Sequence, residues 1–172
     1  MKALSQQKIF AYIAEGNYAK ARKLLKNQYK KEAESYWLMT MIGSTYYEEK
    51  NYSKALFWAE KAMIEGKNDP LVLWDYAGVL AMENQLEKAM EIWLQLLAWG
   101  TKKVGLELCS EGILWAKSLL NDCRFRLAMA YKEQKNLPLA TEYLQAHLAN
   151  RRGTPSIYPL KEVKKEWKLL GN

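Results

Sequence analysis

The sequence predicts an all-α protein built from antiparallel helix pairs, and three observations indicate this fold class. Alanines recur at a constant spacing, at Ala21, Ala55 and Ala89, and a period of about 34 residues is typical of stacked helical repeats. Apolar residues around them follow the i, i+3, i+4, i+7 spacing of a buried helix face. Only four prolines and nine glycines interrupt the 172 residues, which suits long helices.

Other positions keep the spacing of the alanines. They are Tyr18, Tyr52 and Leu86, three positions before the alanines, and Tyr12, Tyr46 and Leu80, earlier in each unit. A fourth copy at 130–144 carries Tyr131, Leu137 and Ala140 in equivalent places. It comes later than the spacing of the first three copies predicts, which implies an insertion before it. Small residues suit the point where two helices cross, because the helix axes there approach to about 8–10 Å.

These residues resemble the tetratricopeptide repeat (TPR), in which each unit is a pair of antiparallel helices. The resemblance covers roughly residues 3–150. It implies a right-handed TPR-like superhelix, or α-solenoid, that forms a single domain over residues 1–172. The expected units are about 2–35, 36–69, 70–103 and 104–153, with the insertion at 100–116.

Turn residues divide the chain into its predicted elements. The turns fall at Gly16-Asn17, Lys50-Asn51, Glu83-Asn84-Gln85 and Lys135-Asn136. They separate helices predicted at about 3–14, 18–30, 34–49, 52–65, 70–83, 86–98, 111–134 and 137–150. The insertion predicts a loop around 100–110, followed by an unusually long helix.

A ninth helix is predicted at about 160–170, with Leu160, Val163, Trp167 and Leu170 on one face. We expect this C-terminal capping helix to cover the exposed apolar side of the last repeat, because solenoids require such caps.

Charge and composition limit the function classes. The formal net charge is +7, but the basic residues concentrate at the two ends and residues 32–100 are acidic. Nucleic-acid binders usually carry one continuous basic surface, so nucleic acid is not the expected partner. No run of 18 apolar residues predicts a membrane span, and residues 1–18 lack a signal-peptide core, so we expect a cytoplasmic protein.

The sequence contains no pattern that predicts catalysis or a cofactor. Cys109 and Cys123 lie about 21 Å apart if the intervening residues are helical, too far for a disulfide, and we expect buried free thiols. His147 is the only histidine, so a zinc site is not expected. The segment 100–105 lacks the spacing of a phosphate-binding loop. We therefore expect a protein that is not an enzyme and needs no cofactor or metal.

The resemblance also places a candidate binding surface. The first helices of successive TPR pairs line a concave groove. The positions that would face it are Trp37, Thr40, Ser44, Tyr47, Leu71, Trp74, Gly78, Met82, Asp122, Phe125, Met129 and Lys132. Exposed aromatic and apolar surface of this kind is typical of a protein-binding site. The alternative is that these aromatic side chains pack between helices or beneath the insertion.

Some family members hold the carboxylate at the C-terminus of a chaperone with Lys, Asn and Arg side chains. The equivalent positions here are Gln6, Phe10, Thr40 and Ser44, so this clamp is not expected. The resemblance therefore predicts an adaptor, scaffold or chaperone-like module that binds another peptide or protein segment.

Two further hypotheses follow from the charge distribution. The protein could be a basic nucleic-acid-associated protein, or a structural unit that self-associates through its basic ends and acidic middle. Two basic stretches are also candidates for binding: residues 20–31, which otherwise form a solvated helix face, and the irregular segment 148–158 with Arg151 and Arg152.

Overall fold

Nine α-helices and no strand make up the regular structure of the described residues, 3–107 and 110–171, in the computed structural model. The helices are α1 (Ala3–Ala14), α2 (Tyr18–Tyr29), α3 (Tyr36–Glu48), α4 (Tyr52–Gly66), α5 (Pro70–Met82), α6 (Leu86–Val104), α7 (Ile113–Glu133), α8 (Leu137–Ala149) and α9 (Leu160–Leu169). The predicted all-α fold class is confirmed, and most predicted helix ends are correct to within two residues.

The chain divides into two compact units, residues 1–85 and 86–172. In the first unit, α1 to α5 pack in order along the chain, and α3 also contacts α5. In the second unit, α6 packs on α7, α7 on α8 and α8 on α9. The boundary between the units falls inside the predicted third repeat. The division of the chain into four repeats within one domain therefore remains a prediction.

The repeat spacing corresponds to equivalent places in successive helices. Helices α2, α4 and α6 begin at Tyr18, Tyr52 and Leu86, and the fourth residue of each is Ala21, Ala55 or Ala89. All three alanine side chains are fully buried. At Gly43 of α3 a Cβ atom would already be in van der Waals contact with the Trp58 Cβ of α4, at 3.4 Å, so α3 and α4 approach closely at this small residue.

The turns between helices also repeat. The residues that precede α2, α4, α6 and α8 by two positions all have positive φ: Gly16 (72°), Lys50 (59°), Asn84 (59°) and Lys135 (60°). In each turn the next residue donates its backbone N–H to a carbonyl five residues earlier, as from Asn51 to Tyr46 at 2.9 Å and from Asn136 to Tyr131 at 2.8 Å. This left-handed termination satisfies carbonyls at the end of the preceding helix.

The predicted loop at 100–110 is wrong in its first part. Gly100 has φ 72° and ψ 169°, which interrupts α6, but a further helical turn follows up to Val104. Val104 is fully buried, and its packing stabilises this additional turn. Helix α7 spans 21 residues, so the unusually long helix after the insertion is confirmed.

Helix α9 covers apolar surface of the second unit, as predicted. Val163 is fully buried in a cluster with Phe125, Ala128 and Leu144, and Trp167 and Leu170 pack against its edge. Leu160 departs from the predicted face, since 43% of it is exposed.

Candidate functional site

The predicted groove positions of the first unit lie on α3 and α5, which contact each other. Trp37, Ser44 and Tyr47 on α3 are partly exposed. Thr40 is only 2% exposed, and its hydroxyl has no partner among the described residues. A buried side chain cannot contact a partner, so Thr40 belongs to the packing of α3.

The α3 aromatic residues share their surface between the core and the exterior. Trp37 packs against the cluster that contains Ile9, Leu25 and Ile42. The ring of Tyr47 meets the ring of Tyr52 edge-on, with centroids 5.4 Å apart. Part of the predicted groove therefore packs between helices, as the alternative interpretation in the sequence analysis expects.

Helix α5 offers a more apolar face. Leu71, Trp74 and Gly78 are partly exposed, and Met82 is 40% exposed. No atom lies within 4 Å of a Cβ built on Gly78, so the space above this helix position is open. We define the α5 face as Leu71, Trp74, Gly78 and Met82.

Asp75 adds a polar group beside this face that the sequence analysis did not include. Burial raises the pKa of Asp75 to about 7, and the negative charge of Glu48 adds to the increase. A cation that approached the two carboxyl groups would therefore gain favourable electrostatic energy. The sequence contains a signal for this site, because Asp75 is the only charged residue in 70–82.

The predicted groove positions of the second unit lie on α7, and residues 154–170 cover them. We call residues 154–170 the C-terminal segment. Asp122 is 2% and Phe125 8% exposed, and Met129 packs in the cluster that surrounds Val163. Lys132 forms a salt bridge with Glu166 of α9 at 2.5 Å. All four α7 positions therefore contact the chain itself.

Asp122 accepts two hydrogen bonds from the C-terminal segment. The Ser156 hydroxyl donates to its Oδ1 at 2.5 Å, and the Ile157 backbone N–H donates to its Oδ2 at 3.1 Å. Burial raises the pKa of the Asp122 carboxyl, whereas both hydrogen bonds and the positive charge of Arg151 lower it. The two donors thus offset part of the cost of burying this carboxylate.

The rest of the contact combines aromatic stacking with backbone recognition. The Tyr158 ring stacks on Phe125 with centroids 4.1 Å apart. Arg151 donates to the Tyr158 carbonyl at 2.6 Å, and the Ser118 hydroxyl donates to the Pro155 carbonyl at 2.8 Å. Residues 155–158 therefore lie along α7 in the manner of a bound peptide.

His147 supports this site rather than a chemical reaction. Its Nδ1 donates to the Asn121 carbonyl at 2.8 Å, and the Asn121 amide donates back to the His147 carbonyl at 3.1 Å. Burial lowers the pKa of His147. The neutral ring can then accept at Nε2 from Arg151, 3.4 Å away. This network joins α7 to α8 and orients Arg151 towards Tyr158.

Part of the basic stretch 20–31 packs on aromatic rings of the first unit. The Arg22 guanidinium lies 4.0 Å from the centre of the Tyr46 ring and forms a salt bridge with Glu49 at 2.8 Å. The Lys26 amine donates to the Tyr46 hydroxyl at 2.9 Å. These two cations stabilise the α2–α3 packing, which favours the structural interpretation of this stretch.

The described part of the chain contains neither a metal-binding cluster nor a reactive thiol. It contains no group of three or more His, Cys, Asp or Glu side chains that could hold a metal ion. Cys123 is a buried free thiol, and burial raises its pKa well above the ordinary value, which makes it a poor nucleophile. Cys109 lies outside the described residues. Among the described helices, none is sufficiently long and apolar to span a bilayer.

Repeated helix pairs with equivalent buried alanines and equivalent left-handed turns define a helical-repeat protein of the α-solenoid class. The tetratricopeptide repeat family matches residues 2–102, more than half of the chain. The chain belongs to this family. The predicted resemblance is therefore confirmed.

A solved structure shares the fold. The chain is similar to the MamA RS-1 ArsTM double mutant, with a TM-score of 0.68 and 14% sequence identity over 98% of this chain and 82% of the other. No curated protein sequence matches this chain. The family and the fold indicate in general that this protein is a module for protein interaction. Proteins of this family are generally not catalytic.

Proposed function

We propose that the protein is a non-enzymatic adaptor that binds a segment of a protein partner on the α5 face and the adjoining part of α3. Trp74 is the central anchor, with Leu71 and Met82 beside it and Tyr47 on α3. Large aromatic side chains that are partly exposed among apolar neighbours are the residues that most often dominate binding energy.

One observation supports this proposal above the others, namely that residues 155–158 lie on α7 without regular secondary structure of their own. In the repeat register, positions 71, 74 and 78 of α5 are equivalent to positions 122, 125 and 129 of α7. On α7 these positions hold residues 155–158 through Asp122 and Phe125. Equivalent positions on α5 present Leu71 and Trp74 for a comparable segment from another protein.

Asp75 and Glu48 indicate which residue types the partner carries. Burial, with the negative charge of Glu48 as the second cause, disfavours ionisation of Asp75, and a neighbouring Lys or Arg would favour the ionised form. We therefore expect a partner segment with apolar or aromatic anchors and a basic residue close to them.

The test compares two variants of the full chain as bait for proteins from its native source. Trp74→Ala removes the proposed anchor, and we expect captured partners to decrease at least tenfold, since a hot-spot residue contributes about 2 kcal/mol. Ile64→Ala is the matched control, because Ile64 on α4 is 75% exposed and lies outside the proposed face. Far-UV circular dichroism verifies that both variants stay helical. Equal capture by Trp74→Ala and the unmodified protein would reject the α5 face.

A further inference from the structure

We propose that the inner face of α7 is a peptide-recognition site whose resident ligand is the chain's own residues 154–158. A partner segment with the pattern hydroxyl residue, any residue, aromatic residue displaces them. This inference extends the proposed function. It rests on that function in one respect, because it also takes the partner to be a protein segment. The site is separate from the α5 face and uses different residues.

Three contacts recognise the backbone of the segment rather than its sequence. The Pro155 and Tyr158 carbonyls accept from Ser118 and Arg151, at 2.8 and 2.6 Å, and the Ile157 N–H donates to Asp122 at 3.1 Å. The groups that hold the segment are side chains in all three cases, so they can make the same bonds to any segment with the same backbone conformation. Such contacts provide affinity and orientation.

Two contacts recognise particular side chains. The Ser156 hydroxyl donates to Asp122 at 2.5 Å, a bond that a threonine can also make. The Tyr158 ring stacks on Phe125 at 4.1 Å, and the Arg126 guanidinium lies 5.5 Å from the centre of the same ring. Ile157 between them is 65% exposed and is not recognised. The recognised pattern is therefore a hydroxyl residue two positions before an aromatic residue.

The neighbouring residues allow the segment to leave and return. Gly153, with φ 74°, joins it to the end of α8 and can reorient at little steric cost. Arg152, Pro155 and Pro159 are exposed, so the apolar contacts that oppose the departure of residues 154–158 come chiefly from the Tyr158 ring. An emptied face would leave the Asp122 carboxylate without its two donors, which favours occupation by another segment with an N–H and a hydroxyl.

An intramolecular ligand weakens every competitor in inverse proportion to the fraction of molecules in which the site is empty. If the resident segment is docked in about 99% of molecules, a partner binds with an affinity about 100-fold below its intrinsic value. A covalently attached segment has an effective concentration on the order of millimolar, so only a partner with a better fit or an additional contact displaces it.

The experiment measures binding of a fluorescent synthetic peptide of residues 151–160 to the full-length protein. In the variant Ser156→Ala with Tyr158→Ala, the resident segment loses both recognised side chains, and we expect the peptide to bind at least tenfold more tightly than to the unmodified protein. Adding Phe125→Ala should abolish this gain. A peptide with the same two alanines should not bind, whereas Trp74→Ala should leave the affinity unchanged, which separates this site from the α5 face.

Amide hydrogen exchange decides whether the resident segment has been released. We expect the Ile157 amide to lose protection in the double variant. Continued protection would show that the hydroxyl and the ring do not hold the segment, and loss of protection without peptide binding would show that α7 is not a binding site. Either result overturns the proposal. If the double variant does not fold, Tyr158→Leu, which keeps most of the apolar volume, takes its place with the same criteria.

Discussion

Replacement of Asp75 by asparagine is expected to stabilise the protein above neutral pH and to have little effect near pH 4. Burial, with the nearby Glu48 charge, raises the pKa of the folded Asp75 carboxyl from 3.8 to about 7. At pH 5 the folded state therefore binds a proton that the unfolded state has released. The free energy of unfolding falls as the pH rises from about 4 to about 7 and is constant, for this group, above that range.

The magnitude follows from the size of this shift. A change of about three pKa units corresponds to roughly 4 kcal/mol. Asp75 is partly exposed, so water reduces the effect, and we expect about 1–3 kcal/mol. Asparagine has nearly the same shape but no charge, so the variant avoids the cost of burying a carboxylate at every pH.

Urea denaturation between pH 4 and pH 8, followed by circular dichroism, measures this difference. The stability gain of Asp75→Asn should be close to zero at pH 4 and should reach its full value near pH 8. Glu48→Gln is the control, because it removes the secondary cause alone and should give a smaller gain with the same sign. A gain that does not change with pH would refute the assignment of the raised pKa to Asp75.

Three further predictions concern the turn, the cap and the thiol. Gly16→Ala should lower the free energy of unfolding by about 1 kcal/mol because Gly16 has φ 72°. Gly78→Ala serves as the comparison inside a helix: the space around Gly78 of α5 is open, so this variant should raise the free energy of unfolding by about 0.5–1 kcal/mol in the same urea assay. Val163→Asp places a charge at a fully buried position and should expose the chain between α8 and α9 to limited proteolysis. A cleavage rate equal to that of the unmodified protein would show that Val163 does not hold α9 in place. In a Cys109→Ser variant, Cys123 should not react with a thiol reagent at pH 8 until urea unfolds the protein, and fast labelling of the folded variant would contradict its burial.

The sequence predicts the helices well because local chemistry determines where they start and stop. Gly16, Lys50 and Lys135 all occupy left-handed turns, and each is followed by an asparagine that is the N-cap of the next helix. The short turn at 101–104 is absent from the prediction because Gly100 has the conformation of a helix end, while the burial of Val104 continues the helix beyond it. Such a tertiary effect has no local signal.

The α7 site can be predicted in its positions but not in its occupant. Asp122 and Phe125 follow from the repeat register, whereas Ser156 and Tyr158 lie far along the chain in a stretch without periodicity. The irregularity of 148–158 identifies it as a candidate for binding, yet no local pattern specifies that it binds its own chain. Hydrogen bonds between such distant residues become visible only in the folded structure.

The equivalent positions of α5 and α7 indicate how a repeat protein separates fold from specificity. Residues that keep the repeat spacing, such as Ala55 and Ala89, are buried and build the helix pairs. Other equivalent positions carry different residue types in successive repeats, and their side chains therefore make different contacts. Leu71 stands where α7 has Asp122, and a leucine side chain cannot accept the N–H and hydroxyl bonds that hold residues 156 and 157. The peptide that fits α7 is therefore not expected to bind α5, and the two faces should select different segments even though each belongs to the first helix of a predicted repeat.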